Sequence, residues 1–444
     1  MIVRAPLVSA LVLSLAASLT ASLGACASAP ESAQHADRAP AGVIFLHPDG
    51  SGANMWGATR MLYAGPDGDL NWDKLSVIGL YRGHLRDALA ASSNAGGTIH
   101  AYGLKAGETS FGNDNGAPLM RDGQPAISIA REAISRGHPV GIVSTAAVVD
   151  AGTGTFLAST SSRKNYTEIA AQMLEAGPAV LLGGGEQFFL PKGAQGRHGP
   201  GEREDGRDLI KLARERGYTV VYSAEELARV PAGTRKLLGL FASNDTFLDK
   251  TEEKQKSEGT PDTVPGAPTY AQMIRAALDV LSAIRPDFLL VAEEEATDNF
   301  GGENNARAAM AAAKRADDGI GVAREFVAKH PRTFLMVAAD SDCGGMQVYG
   351  EPDMPADKPL PPRDENGAPM DGREGTGTPP FVAAPDRAGK RLTFGVVWAS
   401  EGDVAGAVLV RGEGHRAREL ITPSMDNTRI YAAMRAALFG EALK

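Results

Sequence analysis

Short apolar runs recur along the chain at residues 43–46, 140–143, 180–182, 218–222, 237–241, 288–291, 333–338, 393–398 and 407–410. Each is as long as a strand, and several contain no polar residue, the pattern of strands buried on both faces. Helical periodicity lies between many of them. Residues 125–136 place Ile127, Ala130 and Ile134 on one face with Gly137 as a stop. Residues 305–329 do the same with Ala306, Ala309, Ala313, Ile320 and Phe326, ending before Pro331. Strand and helix in alternation predict an α/β fold: a large, mostly parallel central sheet flanked by helices on both faces. No internal repeat is visible.

Two stretches break this rhythm. Residues 193–208 are rich in glycine and charge, and residues 351–390 are rich in proline and glycine with almost no apolar periodicity. Both read as surface loops. The second is long enough to be a lid or mobile excursion, and a disordered insertion without function fits the same composition.

At 444 residues, 43% of them hydrophobic and 22% charged, the chain has ample material for a large core. A formal charge of -9 without a long basic stripe argues against a nucleic-acid partner, while leaving room for local binding of a small anion.

The N-terminus has the pattern of an export signal: Arg4, then an uncharged Ala- and Leu-rich run over residues 7–23. That run is at the lower edge of what spans a bilayer. Its end, Leu23-Gly24-Ala25-Cys26, resembles the bacterial lipobox, in which the cysteine is lipidated and begins the mature protein. Cleavage after Ala27-Ser28-Ala29 is the competing reading. The expected organisation is a signal and lipobox at 1–26, a polar tether at 27–41, and a folded domain at 42–444 with a Pro/Gly-rich insertion around 351–390. The expected location is the periplasm or cell envelope, as an outer-membrane lipoprotein anchored through Cys26 in the lipidated case. Cys343 then has no partner and is expected to be a buried small residue.

Four short acidic or hydroxyl-bearing segments sit where predicted strands end: HPDGSG around Asp49, ASSNAGGT around Ser93, EEEATDN from Glu293 to Asp298, and AADSD around Asp340. Open α/β sheets bind ligands at the carboxyl ends of their strands, so polar residues recurring there point to a site. Taken singly, each has a plainer reading. An Asp-Gly pair is most often a turn, a serine leading into a helix is most often its N-cap, and Arg163 in Ser161-Ser162-Arg163-Lys164 is by itself a surface charge. Together they supply what phosphate ester hydrolysis on a protein nucleophile needs: a hydroxyl, a planar cation matched to phosphate oxygens, and carboxylates for a Lewis acid. A serine that caps a helix also lies where backbone N–H groups face an anion.

These segments closely resemble the alkaline phosphatase family. Asp49 matches the family's first metal-binding aspartate, and Ser93 through Gly103-Leu104-Lys105 its nucleophile segment. VSTA at 143–146 followed by SSRK at 161–164 makes Arg163 the counterpart of the phosphate-binding arginine, and residues 181–185 look like its LGGG turn. Glu293 with Asp298, and Asp340, match the remaining acidic ligands, in the family's order from about Val43 to the C-terminus. The resemblance implies the family's fold, commonly as a homodimer, and metal-dependent hydrolysis of phosphate monoesters through a phosphoserine. It makes Ser93 and Arg163 catalytic and gives the metal ions to Asp49, Ser93, Glu293, Asp298 and Asp340. Asp49 then bridges metal positions, Asp340 shares the ion beside Ser93, Asp298 holds the leaving-group ion and Glu293 a third.

The departures are specific. Three histidines that complete the zinc sites in well-known members fall at Gly302, Ser341 and a position near 401–403. The aspartate beside the nucleophile is Ser92, and the hydroxyl residue that helps hold magnesium falls at Gly152, next to Thr153. Either Ser92 or Ser93 is the nucleophile. An oxygen-rich site suits Mg²⁺, Ca²⁺ or Mn²⁺, whereas the resemblance implies Zn²⁺. Asp342, Glu303, Glu401 and Asp403 are candidates to replace the lost imidazoles. His47 and His100 are expected to be structural, His415 to approach the site from a closing loop, and the other histidines to be incidental. Clustered carboxylates repel unless a cation neutralises them, which favours retained catalysis. A phosphodiesterase of the same superfamily and a noncatalytic, anion-binding lipoprotein homologue are the alternatives.

Overall fold

Gly42–Pro48 (β1) lies inside a ten-stranded sheet, and all seven of its residues are buried. Val43 and Phe45 belong to one apolar core, Ile44 and Leu46 to another, as the two-residue period of a strand with helices on both sides requires. The computed structural model describes residues 39–443, so the predicted signal, Cys26 and most of the tether lie outside the described residues.

The other strands are Val77–Arg82 (β2), Val140–Ala147 (β3), Val180–Gly184 (β4), Thr219–Val221 (β5), Leu237–Leu240 (β6), Leu289–Glu294 (β7), Thr333–Val337 (β8), Leu409–Gly414 (β9) and Ser424–Asp426 (β10). Their order is β10-β2-β9-β8-β1-β7-β3-β4-β6-β5. All pairings are parallel except those of β9, which runs against β8 and β2. The helices that matter for the site are Ala53–Tyr63 (α1), Ser93–Tyr102 (α2), Tyr270–Ile284 (α3), Ala296–Gly302 (α4), Ala306–Lys329 (α5) and Thr428–Phe439 (α6). Helices α2 and α6 pack into the Phe45 side, α3 and α5 into the Leu46 side. The predicted fold class is the observed one. No helix among the described residues is long and apolar enough to cross a membrane.

Several local expectations need correction. The helix expected over 125–136 is Ile129–Ser135: Ser128 caps it by accepting from the Arg131 backbone at 3.2 Å, and Ile127 stands outside it, half exposed. The run at 393–398 forms a strand, but not of the central sheet. Thr393–Val397 pairs instead with Gln347–Tyr349, Met370–Gly372 and Phe381–Val382, and Gly375–Thr376 completes a second, five-stranded sheet. Three short strands of the stretch at 351–390 are therefore part of an ordered subsheet. Its anchor is Asp371, which accepts from the Trp398 indole at 2.6 Å and the Thr376 hydroxyl at 2.9 Å.

Asp371 also sets up an electrostatic conflict. Glu252, buried in the helix Glu252–Glu258, accepts from the Arg307 backbone at the start of α5 at 3.2 Å. Burial and the nearby Asp371 charge push its carboxyl up to about 8. As pH rises from its ordinary value of 4.5 toward 8, the unfolded chain ionises while the folded chain keeps the proton, so this group withdraws stability across that window. Glu252→Gln, which keeps the acceptor oxygen but cannot ionise, is expected to melt close to wild type near pH 4.5 and above it by a margin that grows up to pH 8. A margin independent of pH in thermal melts would contradict this.

Candidate active site

Strand alternation assembles the site. On β1, Phe45 faces the α2 side, and the same period carries His47 and Asp49 to that face. Leu289 and Val291 put Glu293 there from β7, Val140 and Ile142 put Ser144 there from β3, and Phe334, Met336 and Ala338 point Asp340 there from beyond β8. These strands are parallel, so the polar groups collect at one edge, the carboxyl ends. Glu294, one residue out of phase, turns to the opposite face and pairs with Arg315 of α5 at 3.2 Å.

Helix α4 returns Asp298 to the same edge. The Thr297 hydroxyl donates to the Asp49 carbonyl at 2.6 Å and the Glu294 carbonyl at 2.7 Å, tying its start to β1 and β7. Helix α2 approaches so closely that a Cβ on Gly96 would stand 2.3 Å from Asp340 Oδ2. Ser93 lies three residues earlier, on the same helix face and one residue into the helix. The Ser92 hydroxyl is committed elsewhere, donating to the Glu108 carbonyl at 3.0 Å.

The carboxylates fall into three groups, two of which share Glu293, each with its ligand-type atoms within 4.8 Å of one another: His47, Asp49 and Glu293; Asp150, Glu293 and Glu295; and Asp298, Cys343 and Asp403. Asp49 Oδ2, Glu293 Oε1, Glu295 Oε2, Asp298 Oδ1 and both Asp340 oxygens are buried without a hydrogen-bond partner. Burial, and then the charges of their neighbours, hold Glu295, Asp298 and Asp340 well above the usual carboxylate range and push Glu293 up to about 8. Asp49 goes the other way. Burial opposes its charge, but His47 beside it and hydrogen bonds to the carboxylate keep it ionised. The His47 ring is raised to about 9: burial opposes protonation and the Asp49 carboxylate, 3.4 Å away, outweighs it.

Arg163 enters through Asp150, to which its guanidinium donates at 3.2 and 3.4 Å. The side chain remains about a third exposed, open to a solute while bonded to a residue of the carboxylate group. The Asp150 charge raises the guanidinium pKa further, so Arg163 is a permanent cation. Nearby Asp245, pushed up to about 7 by burial and the Asp150 charge, accepts from the Ala147 backbone at 2.8 Å.

All the sequence-predicted acidic residues, Asp49, Glu293, Asp298 and Asp340, thus meet at one edge, with Ser93 and Arg163 on the elements beside them. Of the candidates to replace lost imidazoles, Asp403 joins Asp298, held by the Ser341 hydroxyl at 2.5 Å. Asp342 instead sits against Gly52 at the start of α1 and accepts from that backbone; Glu303 is outside the groups and Glu401 is exposed. His47 was expected to be structural and lies inside the site. His100 is structural, 2.7 Å from the Tyr81 hydroxyl. His415 does not approach the site: its backbone bonds Thr333, at the start of β8, the far end of the sheet from Asp340. Cys343 is buried as expected, and it is also a neighbour of Asp298. Asp150 and Glu295 were missed. Asp150 lies in a loop whose approach to Glu293 has no local sequence signal, whereas Glu295 stood within a segment already singled out.

A family model for alkaline phosphatase matches residues 41–362. The chain belongs to the alkaline phosphatase family. Its relatives include the streptomycin-6-phosphate phosphatase of Streptomyces griseus, 28% identical over 355 residues that cover 70% of this chain and 76% of that one. The structure of alkaline phosphatase from the Antarctic bacterium TAB5 is similar with a TM-score of 0.68 at 20% identity, covering 91% of this chain and 99% of that one. A histidine-to-aspartate mutant of the TAB5 enzyme, with magnesium bound in its M3 site, has a TM-score of 0.66 at 21% identity over 90% and 99% of the two chains. Membership of the family makes this chain a hydrolase of phosphate esters.

The donor set fits divalent cations: oxygen-rich, buried, crowded with like charge and largely without hydrogen-bond donors of its own. Chelation is therefore expected to lower the melting temperature. Adding back Mg²⁺ or Mn²⁺ at a hundredfold excess over its Kd should restore about 2.7 kcal/mol. Melting temperatures indifferent to chelator and to every ion would mean that protons alone neutralise the cluster.

Proposed function

We propose that the chain hydrolyses phosphate monoesters, with Ser93 as nucleophile and a phosphoserine as intermediate. The observation that carries this reading is the packing of the α2 N-terminus against Asp340, which sets Ser93 and the first N–H groups of a helix beside a buried carboxylate cluster. Family membership supports the coarser activity, and the Streptomyces griseus relative, a streptomycin-6-phosphate phosphatase, points the same way.

Ser93 Oγ attacks phosphorus in line, the ester oxygen leaves, and water then cleaves the phosphoserine to release inorganic phosphate. The Arg163 fork holds two nonbridging oxygens, kept in place by Asp150, and the helix N-terminus favours the negative charge. Asp49, Asp340, Asp298, Asp403 and Glu293 would hold divalent cations, whose Lewis acidity would lower the pKa of the Ser93 hydroxyl and stabilise the leaving oxygen. Asp340 offers two free oxygens, which suits a hard ion such as Mg²⁺. Cys343 beside Asp298 makes that neighbourhood softer and keeps Zn²⁺ in play.

Ser93→Ala is expected to reduce turnover of p-nitrophenyl phosphate at least a thousandfold, while Ser92→Ala stays within about tenfold of wild type; undiminished activity in Ser93→Ala overturns the mechanism. Arg163→Ala is expected to raise KM and lower kcat/KM by about a hundredfold, the order lost with one preorganised donor to a developing charge. Bis-p-nitrophenyl phosphate as a parallel substrate separates a monoesterase from a diesterase: faster turnover of the diester reverses the assignment.

A further inference from the structure

His47 has the geometry of a ligand rather than of a core histidine. It stands in register with Glu293 on the adjacent parallel strand, so the imidazole and the carboxylate are side by side, with Asp49 two residues along on the same face. The ring is fixed on three sides. Phe45 stacks on it at 5.8 Å, His100 meets it edge-on at 5.4 Å, and Nδ1 lies 2.8 Å from the Ala338 carbonyl. A carbonyl oxygen can only accept, so Nδ1 carries a hydrogen and Nε2 is the atom turned toward the carboxylates. Metal-binding imidazoles show this arrangement, with the far N–H held by a carbonyl or carboxylate and the near nitrogen aimed at the ion.

A second observation concerns what Nε2 faces. His47 is 1% exposed, and Nε2, Asp49 Oδ2 and Glu293 Oε1 are all buried without a hydrogen-bond partner. Glu293 Oε2 is already used by the Ser144 hydroxyl at 2.7 Å, which leaves Oε1 turned to the shared space. Gly152 borders that space from the other element. A Cβ there would stand 1.7 Å from Glu293 Oε1 and 3.3 Å from His47 Cδ2, so the glycine leaves the room to the imidazole and the carboxylate and adds no side-chain donor.

We infer that His47 Nε2, together with the Asp49 and Glu293 carboxylates, forms a mixed nitrogen and oxygen site for a divalent cation. The inference rests on reading the cluster as a metal centre. A nitrogen donor shifts such a site away from Mg²⁺ and Ca²⁺, which keep to oxygen, toward Zn²⁺, with Mn²⁺ as a paramagnetic probe of the same ligands. One protein then carries two kinds of site a short distance apart, an oxygen-only one at Asp340 and this one.

The test uses the full chain labelled with ¹⁵N-histidine, stripped with chelator and reloaded with saturating Mn²⁺. Pulsed electron paramagnetic resonance then reads nitrogen directly bound to the ion, and equilibrium dialysis counts bound ions. The wild type is expected to show one coordinated ¹⁵N. His47→Phe should lose that coupling together with one bound ion, and His47→Gln should weaken the site at least tenfold. Mn²⁺ bound without nitrogen coupling in the wild type overturns the assignment of His47 and leaves the metal centre standing. Absence of any bound Mn²⁺ or Zn²⁺ overturns the metal reading beneath it. A coupling that persists in His47→Phe assigns a different imidazole and likewise overturns the inference. The wild-type spectrum decides without reference to the stability of either variant.

Discussion

Like charge crowded into a buried space is the constraint on which this molecule is organised. Asp49, Glu293, Glu295, Asp298, Asp340 and Asp403 converge at one edge of the sheet, where burial penalises every ionised carboxylate. Such a cluster persists only where something positive compensates it. With no ion bound, the His47 imidazolium lies within the cluster and Arg163 at its border, fewer positive groups than there are carboxylates, and an ion at Nε2 takes the place of that proton. The remaining compensation comes from protons or bound cations, and that choice couples the chemistry of the site to its stability.

The run Glu293-Glu294-Glu295 shows how the backbone sorts charge. Alternation sends Glu293 to the Ser93 side and Glu294 through to Arg315 on the opposite side, and Glu295 passes beyond the strand end into the cluster. Identical side chains in sequence thus do different work, one of them as the buried half of an ion pair that pins α5 to the sheet.

The central strands were legible because parallel strands covered on both faces leave unbroken apolar runs, and the acidic segments were legible because they follow those runs. What escaped had no such local mark. Strand β2 alternates buried and exposed positions around a glycine, with Ile78 and Leu80 about half exposed, and β10 is three residues long with a polar residue at each end. The direction of β9 depends on its neighbours. Asp342 looked like a ligand in AADSD, but the chain has left β8 and pairs there with Asp403–Val404, which puts its carboxylate against the start of α1, whereas His47 looked like core because its value lies in its register with Glu293, over two hundred residues away. Ser92 and Ser93 were alike as letters; only in the fold does the Ser92 hydroxyl turn to the Glu108 carbonyl.

The short pairing of Asp342–Cys343 with Asp403–Val404 acts as a clasp. It fixes both ends of the long segment that contains the second sheet, next to Asp340 at one end and carrying Asp403 at the other. Loop-closure cost grows only slowly with the length of chain enclosed, so what lies inside the clasp is free to lengthen, shrink or change sequence while its ends stay put. The positions of Asp340 and Asp403, at the two ends of this segment, are thus set independently of how much chain lies between them.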